Sequence, residues 1–440
     1  MPASNTQPDP GAAPTVRVAV LADSDTRWKW GALTAARIAG DSHLDGFLLR
    51  GRATPTARQL DEVGVRAVSL REVTAAGFLR AMGEEGYDVV VLALVGGGVQ
   101  AMLHGLREVW RGRARRPVVV TGYVGVVYEK LADGLLLRHG ADVVLANSRQ
   151  DAERFRAVYE GVGAESRGVV ECALPFLGGS PRKVADEVRT VVFAVQPSVP
   201  ERRADRLYLL RRAVEHARLH PGREVLIKLR SKPGEHTTHI EEHPYQKLAR
   251  SLDLPDNCRL AYGHMGEILD TADLLVTVSS TAALESLHRG VPTAVLTDLG
   301  IREALGNHAF LGSGCLTSWD ALDEGRLPVA DPEWTARQGV ASDQPYERAF
   351  DAARARVAEL AARSQLPPLA PYYTLATAPG YLPGILARHR LAPDGSPLPG
   401  AAAEDRAPGP LRQVVRQAAR GAYRHGVQRV APVIRRMGDL

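Results

Sequence analysis

Cysteine is scarce in this chain: Cys172, Cys258 and Cys315 are the only three in 440 residues. Odd in number and far apart, they exclude a disulfide framework and a zinc-finger spacing, and they point to a reducing, cytoplasmic setting. Lysine is scarce too, six of 55 basic residues, which reads as the codon bias of a GC-rich genome. A long uncharged stretch lies between Asp88 and Arg107 and contains Gly96-Gly97-Gly98, Gln100 and His104. A buried strand, a glycine turn and a helix account for it better than a bilayer span. Residues 1–15 lack a basic patch followed by an apolar stretch, so no secretory signal is read there. No internal repeat is found. With 45% hydrophobic and 24% charged residues, a wholly disordered or collagen-like chain is excluded.

The formal charge of +5 and pI near 9.1 raise the question of nucleic acid, membrane surface or anionic substrate. Residues 411–440 hold seven Arg and one Asp, so residues 1–410 are one unit negative. The body gives no case for nucleic acid, and no nucleic-acid partner is expected. In the tail, Arg412, Arg416, Arg420 and Arg424 recur every four residues, forming one basic stripe on a helix beside Leu411, Val415 and Ala418. Such a helix suits an anionic membrane surface; a basic helix packed on the body, or a disordered tail, is the other reading. The expected location is therefore cytoplasmic, with a route to the inner face of the membrane.

What is present is a regular alternation. VRVAVLAD (16–23), LDGFLLR (44–50), VRAVSL (65–70), YDVVVLALV (87–95), RPVVVTG (116–122) and ADVVLANS (141–148) read as buried strands with helical stretches between most of them, the pattern of a doubly wound parallel sheet. LPFLGGSPRK (174–183) breaks the series, and RTVVFAVQ, EVLIKLR, RLAYG, DLLVTVSS and PTAVLTD restart it. The expected organisation is a disordered segment 1–14, a Rossmann-like domain 15–178, a linker 179–188, a second Rossmann-like domain 189–365, a Pro/Ala/Gly-rich linker 366–410 and the tail 411–440. In an α/β fold of two such lobes, ligand lies beyond the carboxyl ends of the strands.

Two constellations stand at those ends in the second half. In VTVSSTAALESLHRGVPTAVLTD (276–298), a strand runs into Ser279-Ser280-Thr281, which opens a helix. Hydroxyls and unpaired backbone N–H groups there make an anion site suited to phosphate. Glu285, one turn further, is placed to accept hydrogen bonds from ribose hydroxyls. The plainer reading is a capped helix with an exposed carboxylate. In KLRSKPGEHTTHIEEHPYQKL (228–248), Lys228, Arg230 and Lys232 leave a strand end, followed by His236, His239 and His243-Pro244. Cations there neutralise a diphosphate and stabilise a departing nucleotide; an ordinary charged loop is the alternative. His239 to His243 fits H-x-x-E-H, but Pro244 pushes His243 out of helical geometry, so no zinc site and no metal are expected.

The segment 276–298 resembles the donor-nucleotide element of GT-B glycosyltransferases and of nucleotide-sugar 2-epimerases, with Glu285 followed five residues later by Gly290-Val291-Pro292. The resemblance implies that Ser279, Ser280 and Thr281 bind phosphate and Glu285 binds ribose. Retaining members carry a further Glu seven or eight residues earlier; Thr277 and Val278 stand there, which implies an inverting mechanism. His-Pro together with a Ser-Ser turn is similar to bacterial sialyltransferases, where His-Pro contacts the nucleotide of a CMP-sugar. Over residues 15–365 the chain resembles a bacterial family of uncharacterised glycosyltransferases, through KLRSKPGEHTTH, VSSTAALES, GVPTAVLTDLG and GVVYEKLADGLLLRHGADVVLANS. That implies two Rossmann-like domains facing a cleft, a nucleotide-sugar donor, a glycan or lipid-linked acceptor and no cofactor.

An inverting transfer needs a base near the anomeric carbon. Asp23 and Asp25, after the first strand, are the first candidates, with Trp28 and Trp30 as a sugar-stacking platform. Glu129 and His139 come second. Turn, cap and core roles are the competing readings of all of these. Two rivals to transfer remain open at this point, a nucleotide-sugar 2-epimerase and a non-catalytic bilobed binding protein.

Overall fold

The computed structural model describes residues 15–51, 53–126, 131–181, 187–232, 235, 241–340 and 345–401. Two parallel sheets organise it. The first contains β1 (Arg17–Ala22), β2 (His43–Leu49), β3 (Ser69–Val73), β4 (Val89–Ala93), β5 (Val118–Gly122), β6 (Val143–Ala146) and β7 (Val169–Glu171), in the order β3-β2-β1-β4-β5-β6-β7. The second contains β8 (Thr190–Ala194), β9 (Glu224–Lys228), β10 (Cys258–Ala261), β11 (Leu274–Thr277), β12 (Thr293–Leu296) and β13 (Leu316–Thr317), in the order β10-β9-β8-β11-β12-β13. Each order reverses once, between β1 and β4 and between β8 and β11. A crevice forms at such a switch because the flanking connections leave toward opposite faces.

The strands are continuous apolar runs because helices cover both of their faces. Val18 to Ala22 are wholly buried, and their side chains divide between two cores on opposite faces of the sheet. Helix Asp25–Ala39 starts directly from β1, with Ser24 accepting the Arg27 N–H as its cap. It buries Trp28 and Trp30. A Cβ on Gly46 would stand 2.6 Å from the Trp28 ring, so only glycine lets that ring lie on β2.

The last third of the chain departs from expectation. Helix Asp351–Ala361, expected in the second lobe, packs on helix Asp25–Ala39 and on β5, β6 and β7 of the first sheet. Residues 366–401, expected as linker, contain helix Leu382–Arg388, which lies against helix Gly96–Val109. Leu369, Leu382, Ile385, Leu386 and Leu391 enter the core beside Leu92, Val99 and Leu103. The boundary at 365 therefore gives way to a return into the first lobe after about residue 345. Composition hid this: the segment is rich in Pro and Gly, yet its few leucines fall where the sheet needs cover.

β7 and β13 were not anticipated; with three and two residues, neither carries a readable period. All three cysteines are buried and unpaired. Among the described residues no helix is long and apolar enough to cross a membrane. The basic tail, 411–440, lies outside the described residues.

Candidate functional site

The carboxyl ends of the two sheets face each other across a cavity of about 720 Å³. Asp25, Thr26 and Lys29 reach it from the first turns of helix Asp25–Ala39, Gln59, Glu62 and Val63 from helix Ala57–Val63, and Val124 and Phe176 from loops. Lys228 and Arg230 leave β9, His264 follows β10, and Ser279 to Ala282 follow β11. At the second switch point Gln196 ties β8 to β11: its Oε1 accepts the Ser279 N–H at 3.0 Å and its amide donates to Ser279 Oγ at 3.2 Å.

The Ser-Ser-Thr turn borders this cavity, with its hydroxyls largely engaged in the protein. Ser279 Oγ donates to the Leu305 carbonyl at 2.6 Å, and Ser280 Oγ accepts the Ala282 N–H at 3.2 Å. Thr281 Oγ1 faces Gly125 of the other lobe, where a Cβ would come within 2.7 Å of it. The following helix, Ala282–His288, has only seven residues and so a short dipole. The positive charge around this turn therefore comes mostly from the side chains of Lys228 and Arg230.

Lys228 is 6% exposed, and its ammonium donates to the Leu229 carbonyl at 2.7 Å. Burial pushes it down to about 8, with Glu62 and Glu285 opposing the shift and Arg230 and Arg58 adding to it. Arg230 reaches across the cleft to Asp25 Oδ1 at 2.8 Å and also to Thr26 Oγ1. In the opposite sense, Lys29 of the first lobe stands 3.8 Å from the buried Glu285 carboxylate and 4.8 Å over the Phe176 ring. Burial raises the Glu285 carboxyl above its ordinary range; Lys29, Arg289 and Lys228 pull it back. Arg58 joins Glu235 in a third pair between lobes. His264, which lines the cavity, is held below its usual range by burial first and then by Lys29, partly offset by Glu267.

Of the residues singled out in the sequence, Asp25, Lys228, Arg230, Ser279, Ser280, Thr281 and Glu285 line one cavity. Others do not. Asp23 binds Arg27 at 2.9 Å and accepts the Val95 N–H at 3.1 Å, tying the ends of β1 and β4 together outside the lining. Lys232 stands 5.9 Å over the Tyr262 ring, and the His243 carbonyl accepts from Arg206, both away from the lining. Trp28 and Trp30 are core residues, 1% and 0% exposed, and offer no stacking platform. His139 packs between Tyr159 and Tyr372 at the far end of the first sheet. Glu129, His236 and His239 lie outside the described residues.

Lys29, Glu62, His264 and Gln196 were missed. His264 and Gln196 carried a usable signal, since each follows a strand end; Lys29 and Glu62 sit on helices whose cavity-facing side depends on the other lobe. Among the described residues one group, His216, His220 and Asp323, brings donor atoms within 4.8 Å of one another, remote from the cavity. His216 donates to Asp323 at 2.6 Å and accepts from Arg223 at 3.1 Å, while Arg212 donates to the other Asp323 oxygen at 2.7 Å. Protein partners already satisfy that cluster.

Residues 18–360 match the model of the family described as "Putative glycosyltransferase (DUF6716)". No curated protein matches the chain. Among solved structures, the chain is similar to a "putative UDP-N-acetylglucosamine 2-epimerase from Listeria monocytogenes", with TM-score 0.50, 13% identity, 78% of this chain and 95% of that one covered. It is also similar to a UDP-glucosyltransferase from Polygonum tinctorium described as capable of glucosylating indoxyl, with TM-score 0.50, 12% identity, 78% of this chain and 99% of that one covered. These likenesses carry the fold: two Rossmann-like domains in the GT-B arrangement.

Proposed function

Since the chain belongs to this family of glycosyltransferases, we propose that the cleft moves a glycosyl group from a nucleotide-sugar held by the second lobe to an acceptor entering from the first, with inversion and without a metal. The observation that carries this reading is the meeting of Lys228, Arg230 and Glu285 with Asp25 and Glu62 around one cavity at paired switch points. Glu285 takes the ribose, and the 279–281 turn shapes the phosphate pocket. Lys228 and Arg230 stabilise the charge that grows on the nucleotide as the bond between the anomeric carbon and the phosphate oxygen breaks. The acceptor oxygen attacks from the opposite side and loses its proton to a carboxylate.

Asp25 is the proposed base. Donor phosphates compete with it for Arg230, which loosens the 2.8 Å pair as the acceptor arrives. Glu62, on the same side of the cavity, is the second candidate, and Glu129 stays a candidate on sequence grounds. The acceptor is a glycan or a lipid-linked, cell-envelope sugar, with the tail at 411–440 holding the enzyme to an anionic membrane from the cytoplasmic side.

A thermal-shift and calorimetric screen against UDP-, GDP- and CMP-sugars identifies the donor. Product analysis with and without acceptor then tests the reaction: nucleotide released only with acceptor supports transfer, whereas a donor epimer formed without acceptor refutes it. Glu285→Ala weakens nucleotide binding; unchanged affinity removes Glu285 from the site.

A further inference from the structure

We infer that the first lobe carries a second ligand site, for a small polyanion bearing phosphate or carboxylate groups, at the end of the sheet opposite the cleft. A cavity of about 790 Å³ opens where β5, β6 and β7 begin. Five arginines line it: Arg116, Arg156, Arg167, Arg356 and Arg363. Its two lining carboxylates are already engaged. Asp142 binds Arg116 through both oxygens, at 2.7 and 2.8 Å, and Glu165 binds Arg167 at 2.6 Å. Just outside the lining, Glu359 alone serves two guanidiniums, Arg356 at 2.7 Å and Arg363 at 2.6 Å. Arg156 donates to the Val169 carbonyl at 3.3 Å and has no ion-pair partner among the described residues. Glu160, which accepts from the lining Ser166 at 3.0 Å, is a fourth carboxylate at the rim; five guanidiniums thus face four carboxylates, an excess of positive charge held around a concave surface.

Two nitrogens buried at the cavity, His139 Nδ1 and Arg356 Nε, have no hydrogen-bond partner in the protein. A buried polar group left without a partner is unfavourable, and both belong to side chains in the cavity wall. The planar arginine fork matches phosphate and carboxylate in geometry as well as charge. The wall is assembled from distant parts of the chain, Arg116 and Arg156 from the first lobe and Arg356 and Arg363 from the returning segment. It faces away from the donor cleft, so its occupancy and that of the cleft are separable, and the inference does not depend on the proposed reaction.

The test is calorimetric titration of the full chain with inorganic pyrophosphate and, separately, with citrate. It compares wild type, R156Q/R363Q and K228M/R230M, with circular dichroism confirming that each is folded. At the arginine cavity, R156Q/R363Q binds the anion weaker by roughly tenfold or more, while K228M/R230M keeps the arginine-cavity binding. Binding of pyrophosphate alone assigns a phosphorylated ligand, and binding of citrate alone a polycarboxylate. The inference is overturned if neither anion binds, if R156Q/R363Q titrates like wild type, or if K228M/R230M abolishes all anion binding.

Discussion

Lys228 gives the sharpest test of the cleft. Its ammonium is buried beside Arg230 and near Arg58, and its pKa falls from 10.5 to about 8. Below pH 8 the lysine is charged in both folded and unfolded chains, and the folded chain bears the whole cost of burying it. Between pH 8 and 10.5 the unfolded chain holds a proton that the folded chain has released, so unfolding free energy rises with pH. The gap corresponds to about 3 kcal/mol. Lys228→Met keeps the length of the side chain and removes the charge. In urea denaturation from pH 7 to 10.5, wild-type stability should climb relative to Lys228→Met by up to about 3 kcal/mol. A bound diphosphate reverses the balance, because it favours the ammonium. Nucleotide binding near pH 9 should therefore take up close to one proton, read from calorimetry in buffers of different ionisation enthalpy, and Lys228→Met should take up none. Parallel stability profiles, together with no proton uptake, would refute the assignment of Lys228 as a buried phosphate cation.

Lys29→Met removes the cation nearest Glu285, so the raised carboxyl rises further; nucleotide affinity should then fall several-fold more at pH 5.5 than at pH 8, and a pH-independent loss would count against the coupling. Gly140 has φ +100, and a Cβ there would meet the Ala370 backbone at 2.7 Å. Gly140→Val should lower stability by about 1–3 kcal/mol in thermal unfolding. Leu386 is fully buried in the returning helix; Leu386→Ala should cost about 2–5 kcal/mol, whereas a loss within 0.5 kcal/mol would show that this segment is not part of the first core.

Much of the fold was legible because a parallel strand covered on both faces must be apolar throughout, as VVVLA of β4 and LLVT of β11 are. The same reasoning located Lys228, Ser279 and Glu285, since a ligand at a switch point is reached from strand ends. It failed where position depends on tertiary partners. Trp28 and Trp30 follow the first strand just as Asp25 does, yet helix Asp25–Ala39 turns the indoles into the core and Asp25 toward Arg230. Residues 366–401 read as linker because proline and glycine dominate locally, while Leu382 and Leu386 are recruited by a surface formed from residues nearly 300 positions earlier.

The returning segment also orders events during synthesis. The first sheet is complete once β7 has emerged, but its outer leucine and valine surface receives residues 369–391 only after the whole second lobe has been made. At 5–20 residues per second, the intervening chain of about 200 residues takes roughly 10–40 s to appear. For that interval the half-built protein presents sticky apolar surface around Leu92 and Val99, and the second lobe can fold before the first is sealed. Released chains truncated after residue 345 should therefore be protease-sensitive in the first lobe and protected in the second.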